Sequence, residues 1–259
     1  MSEFVAKLVK PTMQILTHVG EKVPQGLAHG HHHVGGMAKD AATKFEKTEE
    51  DIAKRVPVYV VDHDGKVHHL RDDGTLGHVA ADDNSGIRNI LDGNNTTETW
   101  QKGGKYNLTN DPDPGPGNRP VVTSNKVAPG GNPLSQATED ARKARGDSND
   151  RVNYAAFHFQ GPDSEGRDQN FILVASSKQF SAHSEQYAGI PLLANKDRLG
   201  GGSLVGMHTE RPPCDTGRRC ESWMAKYFGQ NLPVTHSYED DASGTAQSHL
   251  KNRLKSLFP

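Results

Sequence analysis

Cysteine is nearly absent: the chain has 2 in 259 residues. That excludes the disulfide-dense scaffold of a small secreted domain. Long apolar runs are missing as well. None approaches the roughly 20 residues that cross a bilayer, so no membrane span is expected. Hydrophobic residues are 33% of the chain, aromatics 6%, and the mean hydropathy is −0.75. So polar a chain cannot bury its whole length in one dense core, and a compact part joined to loosely ordered parts is expected. Neither sign of charge dominates. With a formal net charge of −2, no global positive field draws the protein to nucleic acid, and any such contact has to be local. The first twenty residues carry Lys7 and Lys10 and are interrupted by Pro11, unlike a conventional signal peptide; export by a signal-less route stays open.

The organisation changes along the chain. Residues 1–55 read as helical and polar, with a short stripe of Phe4, Val5, Leu8 and Val9 at helical spacing. The His29-Gly30-His31-His32-His33 tract reads as a metal-binding tract or a flexible loop. The loop is preferred because no acidic or cysteine partner accompanies it. Residues 56–91 read as a small β-meander acting as a spacer: Val58–Val61 is a strand, Asp64-Gly65 a hairpin turn, and Lys66–Leu70 the return strand. Residues 92–132, rich in Asn, Gly and Pro, read as a linker.

Residues 133–259 are more orderly. Ser135 is read as the cap of a helix ending at Gly146. Val152–Gln160 and Asn170–Ser176 read as strands; the second barely alternates and so should be buried on both faces. Ser181 is read as the cap of a helix carrying His183 and Glu185. Leu204–Met207 is a third strand. A helix capped by Asp215 or Thr216 follows, with Cys220, Trp223, Met224, Tyr227 and Phe228 on its buried face at i, i+3, i+4, i+7, i+8 spacing. Pro233–Tyr238 is a fourth strand, and a helix from Ser243 sets Leu250, Leu254 and Leu257 on one side. A hairpin followed by β-α-β crossovers makes an α/β fold, a mixed sheet covered by helices.

The chemistry concentrates where the cysteines are. His183-Ser184-Glu185 precedes Pro213-Cys214 and Cys220, and five residues separate the two cysteines. One histidine and two thiolates can hold a zinc ion and leave a fourth position open to water. A glutamate two residues from the histidine can then shuttle that water's protons. Both helix N-termini would carry positive partial charge to the same point, favouring thiolate. An H-x-E followed by P-C and a second Cys is the pattern of zinc nucleobase deaminases, which usually have Cys-x-x-Cys; the five-residue gap here departs from it.

On these residues, 133–259 resembles the cytidine deaminase-like superfamily, and within it the bacterial polymorphic-toxin deaminases, through His-Ser-Glu and the Glu210-Arg211-Pro212-Pro213-Cys214 stretch. The resemblance implies a three-layer α/β/α domain, with His183, Cys214 and Cys220 as zinc ligands and Glu185 as proton shuttle. It also implies that the Ser184 N–H donates to the base carbonyl and that the Pro212 carbonyl accepts from the departing amino group. Residues 1–55 would be a delivery region, and the chain an exported interbacterial effector acting in the target-cell cytoplasm, with a cognate immunity protein. Cytosine in DNA is the first substrate expected, single-stranded preferred because an unpaired base leaves the stack at less cost. Adenine, RNA and free nucleotides are the alternatives.

Other readings accompany these. A purely structural zinc would take His208 or His236 as fourth ligand, giving a non-catalytic binding module. The cysteines could form a disulfide, or Cys214 could be a nucleophile beside His208 or His183. Asn153 is read as touching a sugar or base. Trp223, Tyr227 and Phe228 read as core rather than a base-stacking platform. Arg211, Arg218 and Arg219 read equally as phosphate contacts or as partners of Glu210 and Glu221.

Overall fold

An apolar run that does not alternate needs cover on both faces. In the computed structural model, which describes residues 56–91, 104–108, 115, 117–179, 181–239 and 245–258, the run at 171–175 has it. Phe171, Leu173 and Ala175 enter one core cluster, and Ile172 and Val174 enter another on the opposite face. This strand, Asp168–Ser176, lies near the middle of an eight-stranded mixed sheet. In chain order the strands are β1 (Val58–Val61), β2 (Val67–Leu70), β3 (Leu76–Gly77), β4 (Ser124–Lys126), β5 (Tyr154–Pro162), β6 (Asp168–Ser176), β7 (Ser203–Thr209) and β8 (Val234–His236). Their spatial order is β3-β2-β1-β6-β5-β7-β8-β4. β5 is antiparallel to both β6 and β7, whereas β1 runs parallel to β6, and β4 and β7 run parallel to β8. The helices among the described residues are α1 (Arg88–Leu91), α2 (Pro133–Arg145), α3 (Ser184–Ala194), α4 (Lys196–Leu199), α5 (Cys220–Phe228) and α6 (Thr245–Leu257).

Ala137 and Ala141 of α2 pack with Tyr154, Ala156 and Val174 on one face. Ala188 and Ile190 of α3 and Trp223 and Met224 of α5 pack with Phe157, Leu173 and Met207 on the other. The result is helix, sheet, helix. α6 sets Leu250 and Leu254 against Tyr238. No helix among the described residues is long and apolar enough to cross a membrane.

Two segments differ from their sequence reading. The 56–91 meander, expected as a spacer, extends this sheet: Val58–Val61 pairs in parallel with Ile172–Ala175. Its strand is buried on both faces, Tyr59 and Val61 in one cluster and Val60 in the other. The 92–132 segment, expected as a linker, supplies β4 beyond β8 and three core side chains, Tyr106, Leu108 and Val122. β4 reads Ser-Asn-Lys; strand pairing uses backbone groups, so an edge strand needs no apolar pattern. The helical reading of residues 1–55 and the His29–His33 tract lie outside the described residues.

Candidate metal centre

β6 and β7 run the same way, with β5 between them. The loops leaving their C-terminal ends therefore meet at one edge of the sheet, the usual place for a site in an α/β fold. The loop after β6 leads into α3. Its N-cap is His183 rather than Ser181. Ser181 instead bonds through Oγ to the Tyr187 hydroxyl at 3.0 Å, and the Gln186 side-chain oxygen accepts from the His183 N–H at 3.4 Å. An N-cap side chain projects from the helix tip, which places the imidazole outside the first turn and Glu185 within it. Glu185 is 2% exposed.

The loop after β7 is anchored at its root. Glu210 accepts from Arg142 Nε at 2.6 Å and Nη2 at 2.8 Å, and from the Tyr154 N–H at 2.9 Å. Its backbone carbonyl accepts from the N–H groups of Ser237 and Tyr238. Glu210 thus pairs with a buried arginine of α2, not with the arginines beside it in sequence. Arg211 donates instead to the Asp150 carbonyl, and Arg219 to the Leu108 carbonyl at 2.8 Å.

Five residues then separate Cys214 from Cys220, and the loop curls to close that gap. Gly217 (φ 60°) and Arg219 (φ 49°) take left-handed conformations. α5 starts at Cys220, with Arg219 as its N-cap in place of Asp215 or Thr216. The Cys220 N–H points at Cys214 Sγ at 3.4 Å, and the Glu221 N–H bonds the Cys214 carbonyl at 3.3 Å.

His183 Nδ1 lies 3.5 Å from Cys214 Sγ and 3.4 Å from Cys220 Sγ. All three ligand atoms lie within 4.8 Å of one another, a group able to hold a metal ion. His183 and Cys214 are half-buried, with Cys220 buried beneath them, and both cysteines are free. The contact with Cys220 holds the Cys214 thiol down to about 4, against burial and with help from His183. The same contact, with burial, pushes the Cys220 thiol up. The Cys214 contact raises His183, and burial raises the Glu185 carboxyl.

Around this group, Thr209 Oγ1 donates to Glu185 Oε1 at 3.3 Å and Ser184 Oγ to Oε2 at 3.2 Å. Thr209 has no role in the sequence reading; a threonine ending a strand carries no motif of its own. Ser184 stands at the first position of α3, where a backbone N–H has no intrahelical acceptor. Pro212 lies on the anchored loop, half-buried. Asn153, just before β5, bonds to Ser184 and Thr209.

The histidines considered as a fourth ligand stand elsewhere. Side chains alternate along a strand, so His208 faces away from Thr209 and bonds Thr235 Oγ1 at 3.0 Å. His236 bonds Ser124 Oγ at 3.0 Å. Trp223 is a fully buried core residue whose Nε1 donates to the Tyr106 carbonyl at 2.8 Å, and Tyr227 and Phe228 pack against it. A cavity of about 690 Å³, lined among others by Lys126, Tyr238, His249 and Arg253, includes none of His183, Glu185, Cys214 and Cys220 in its lining. Comparison of the chain with family models, with curated proteins and with solved structures finds no match.

Proposed function

We propose that the chain is a zinc-dependent nucleobase deaminase of cytidine deaminase-like fold. It would convert cytosine to uracil in DNA, single strands preferred, as the toxin domain of an exported effector. The observation that carries this reading is the convergence of His183, Cys214 and Cys220 beside a buried Glu185. The spacing suits zinc. Bonds of about 2.0–2.1 Å to nitrogen and about 2.3 Å to sulfur set tetrahedral N···S edges of about 3.6 Å, against 3.5 and 3.4 Å here. His183, Cys214 and Cys220 would hold the ion, the cysteines binding as thiolates with release of thiol protons.

Zinc bound there would bring the pKa of a water down to about 7. Glu185 would take one proton at its carboxylate and give it to the ring nitrogen, then take a second and give it to the leaving amine, and a raised pKa suits both roles. The Ser184 N–H at the tip of α3 donates to the base carbonyl, and the Pro212 carbonyl accepts from the amino group. Arg218, whose charge acts on His183, would be a cation for a backbone phosphate. The DNA substrate, the toxin setting and an inhibitory partner rest on the sequence resemblance.

The test uses the full chain with zinc, offered single- and double-stranded DNA, RNA, cytidine and adenosine. Cytosine-to-uracil conversion, greatest on single-stranded DNA, is expected. Glu185→Gln should keep one zinc per chain and lose conversion by at least about 100-fold. No conversion in any substrate, with zinc bound and the fold intact, would instead indicate a zinc-stabilised binding module.

A further inference from the structure

Asn153 sits where three segments meet. Its backbone is tied to the end of β6: its N–H donates to Ser177 Oγ at 2.9 Å, and its carbonyl accepts from the Ser177 N–H at 2.8 Å. Its side chain reaches the other two. Oδ1 accepts from the Arg211 N–H at 3.0 Å, on the loop that carries Cys214. Nδ2 donates to Ser184 Oγ and to Thr209 Oγ1, each at 2.8 Å.

The orientation of this amide follows from its partners. A backbone N–H can only donate, so the atom facing Arg211 must be the oxygen, and the nitrogen must face the two hydroxyls. Each hydroxyl has one proton. A hydroxyl that accepts from Asn153 is left to give that proton elsewhere, and for both the acceptor is Glu185: Ser184 Oγ to Oε2 and Thr209 Oγ1 to Oε1. Ser184 and Thr209 are fully buried, so water does not compete for them.

From this network, and resting on the deaminase reading, we infer that Asn153 is a positioning residue. Through the hydroxyls of Ser184 and Thr209 it holds both carboxylate oxygens of Glu185 in one orientation. Its two amide hydrogens are committed inside the protein, which leaves none for a sugar or base. Its effect therefore falls on the chemical step and not on substrate binding.

The test is kinetic and spectroscopic, on the zinc-loaded full chain. Asn153→Ala should lower kcat by about 10- to 100-fold, as loss of an outer hydrogen-bond partner does, with KM and zinc content unchanged. Asn153→Asp keeps the shape but turns the two hydroxyls away from Glu185, and it should lose as much. If Asn153 only filled space, the Asp variant would stay active. Thr209→Val should cost less than Asn153→Ala, and Thr209→Ser should regain most of that loss. Combining Thr209→Val with Asn153→Ala should cost nothing more, because the hydroxyl is already unoriented. Additive losses, or a raised KM with unchanged kcat, would overturn the inference and put Asn153 on the substrate.

A second readout does not depend on turnover. The Asn153 side-chain amide protons, identified by their disappearance in Asn153→Ala, should exchange slowly with solvent in NMR spectra. A wild-type protein inactive on every substrate ends the deaminase reading. Freely exchanging Asn153 protons end the network, whether or not the protein is active.

Discussion

Gly189 lies inside α3, where alanine would ordinarily favour the helix by about 1 kcal/mol. A Cβ built there would come within 2.7 Å of the Trp223 ring and 3.0 Å of the Phe157 ring. Both rings are fully buried, so making space for the methyl group would disturb the core packed around them. Gly189→Ala should therefore destabilise the fold by about 1–3 kcal/mol despite its better helix propensity, measured as a shift in the urea midpoint. It should also weaken the proposed zinc binding, since His183 caps α3 and Cys220 opens α5. A neutral result would mean that the two helices can separate at no cost. Nothing local in the sequence marks this glycine, because the side chains it admits come from another helix and a distant strand. His183, Glu185, Cys214 and Cys220, by contrast, are rare or motif-bearing residue types whose chemistry is legible one residue at a time.

Among the elements, the joint between α2, β5 and the loop after β7 rests on one buried ion pair. Arg142 and Glu210 are 1% and 3% exposed. The arginine also donates to the carbonyls of Asp147 and Asn149 at 3.1 and 3.2 Å, and to that of Val152, and it stacks over Tyr154. Removing one partner strands the other's charge, so Arg142→Met should cost about 3–5 kcal/mol. Adding Glu210→Gln should return part of it, as read by chemical denaturation. A double variant as unstable as the single would show that the remaining Arg142 contacts carry the effect. The helices themselves were legible from apolar spacing, their starts less so. α2 is capped by Asn132, whose Oδ1 accepts from the Ser135 N–H at 2.7 Å, with Pro133 leading the first turn. Ser135, the cap expected from sequence, lies inside the helix and accepts from the Gly130 N–H. A serine near a helix start has several local partners, and which one it takes depends on the chain around it.

For the whole molecule, the sheet extends well upstream of residue 133. A chain beginning there loses β1 to β4 and the buried Tyr59, Val60, Ile87, Ile90 and Tyr106, and it leaves β6 with an open edge. Residues 133–259 alone should be insoluble, while a chain beginning at Val56 should be soluble and cooperative in thermal unfolding. A folded, monomeric 133–259 fragment would show the upstream strands to be dispensable. Stability should also depend on pH near neutrality. Burial, with the charge of His236 adding to it, holds the His208 pKa down to about 3, while an unfolded histidine titrates near 6.5. The unfolded chain therefore gains a proton below about pH 6.5 that the folded chain refuses. The stability is full above that pH and is lost as pH falls, by up to about 1.4 kcal/mol per pH unit. His63, whose pKa burial also lowers, acts in the same sense. Urea midpoints between pH 7.5 and 5 should fall, and His208→Gln should flatten the slope. An unchanged slope in that variant would assign it to other groups.

Sequence alone determined the α/β class, the order of elements after residue 133 and the residue types able to bind a metal. These depend on apolar periodicity and on side-chain chemistry, both of which are local. Only the tertiary structure decided that the upstream meander and a Ser-Asn-Lys strand complete the sheet, and that Glu210 pairs with Arg142. It also decided that a five-residue gap closes on one histidine, and that Asn153 turns two hydroxyls toward Glu185. Those are contacts between polar groups and backbone far apart in the chain. Hydrogen bonds of that kind have no period, and their partners are chosen by where the packed core brings them.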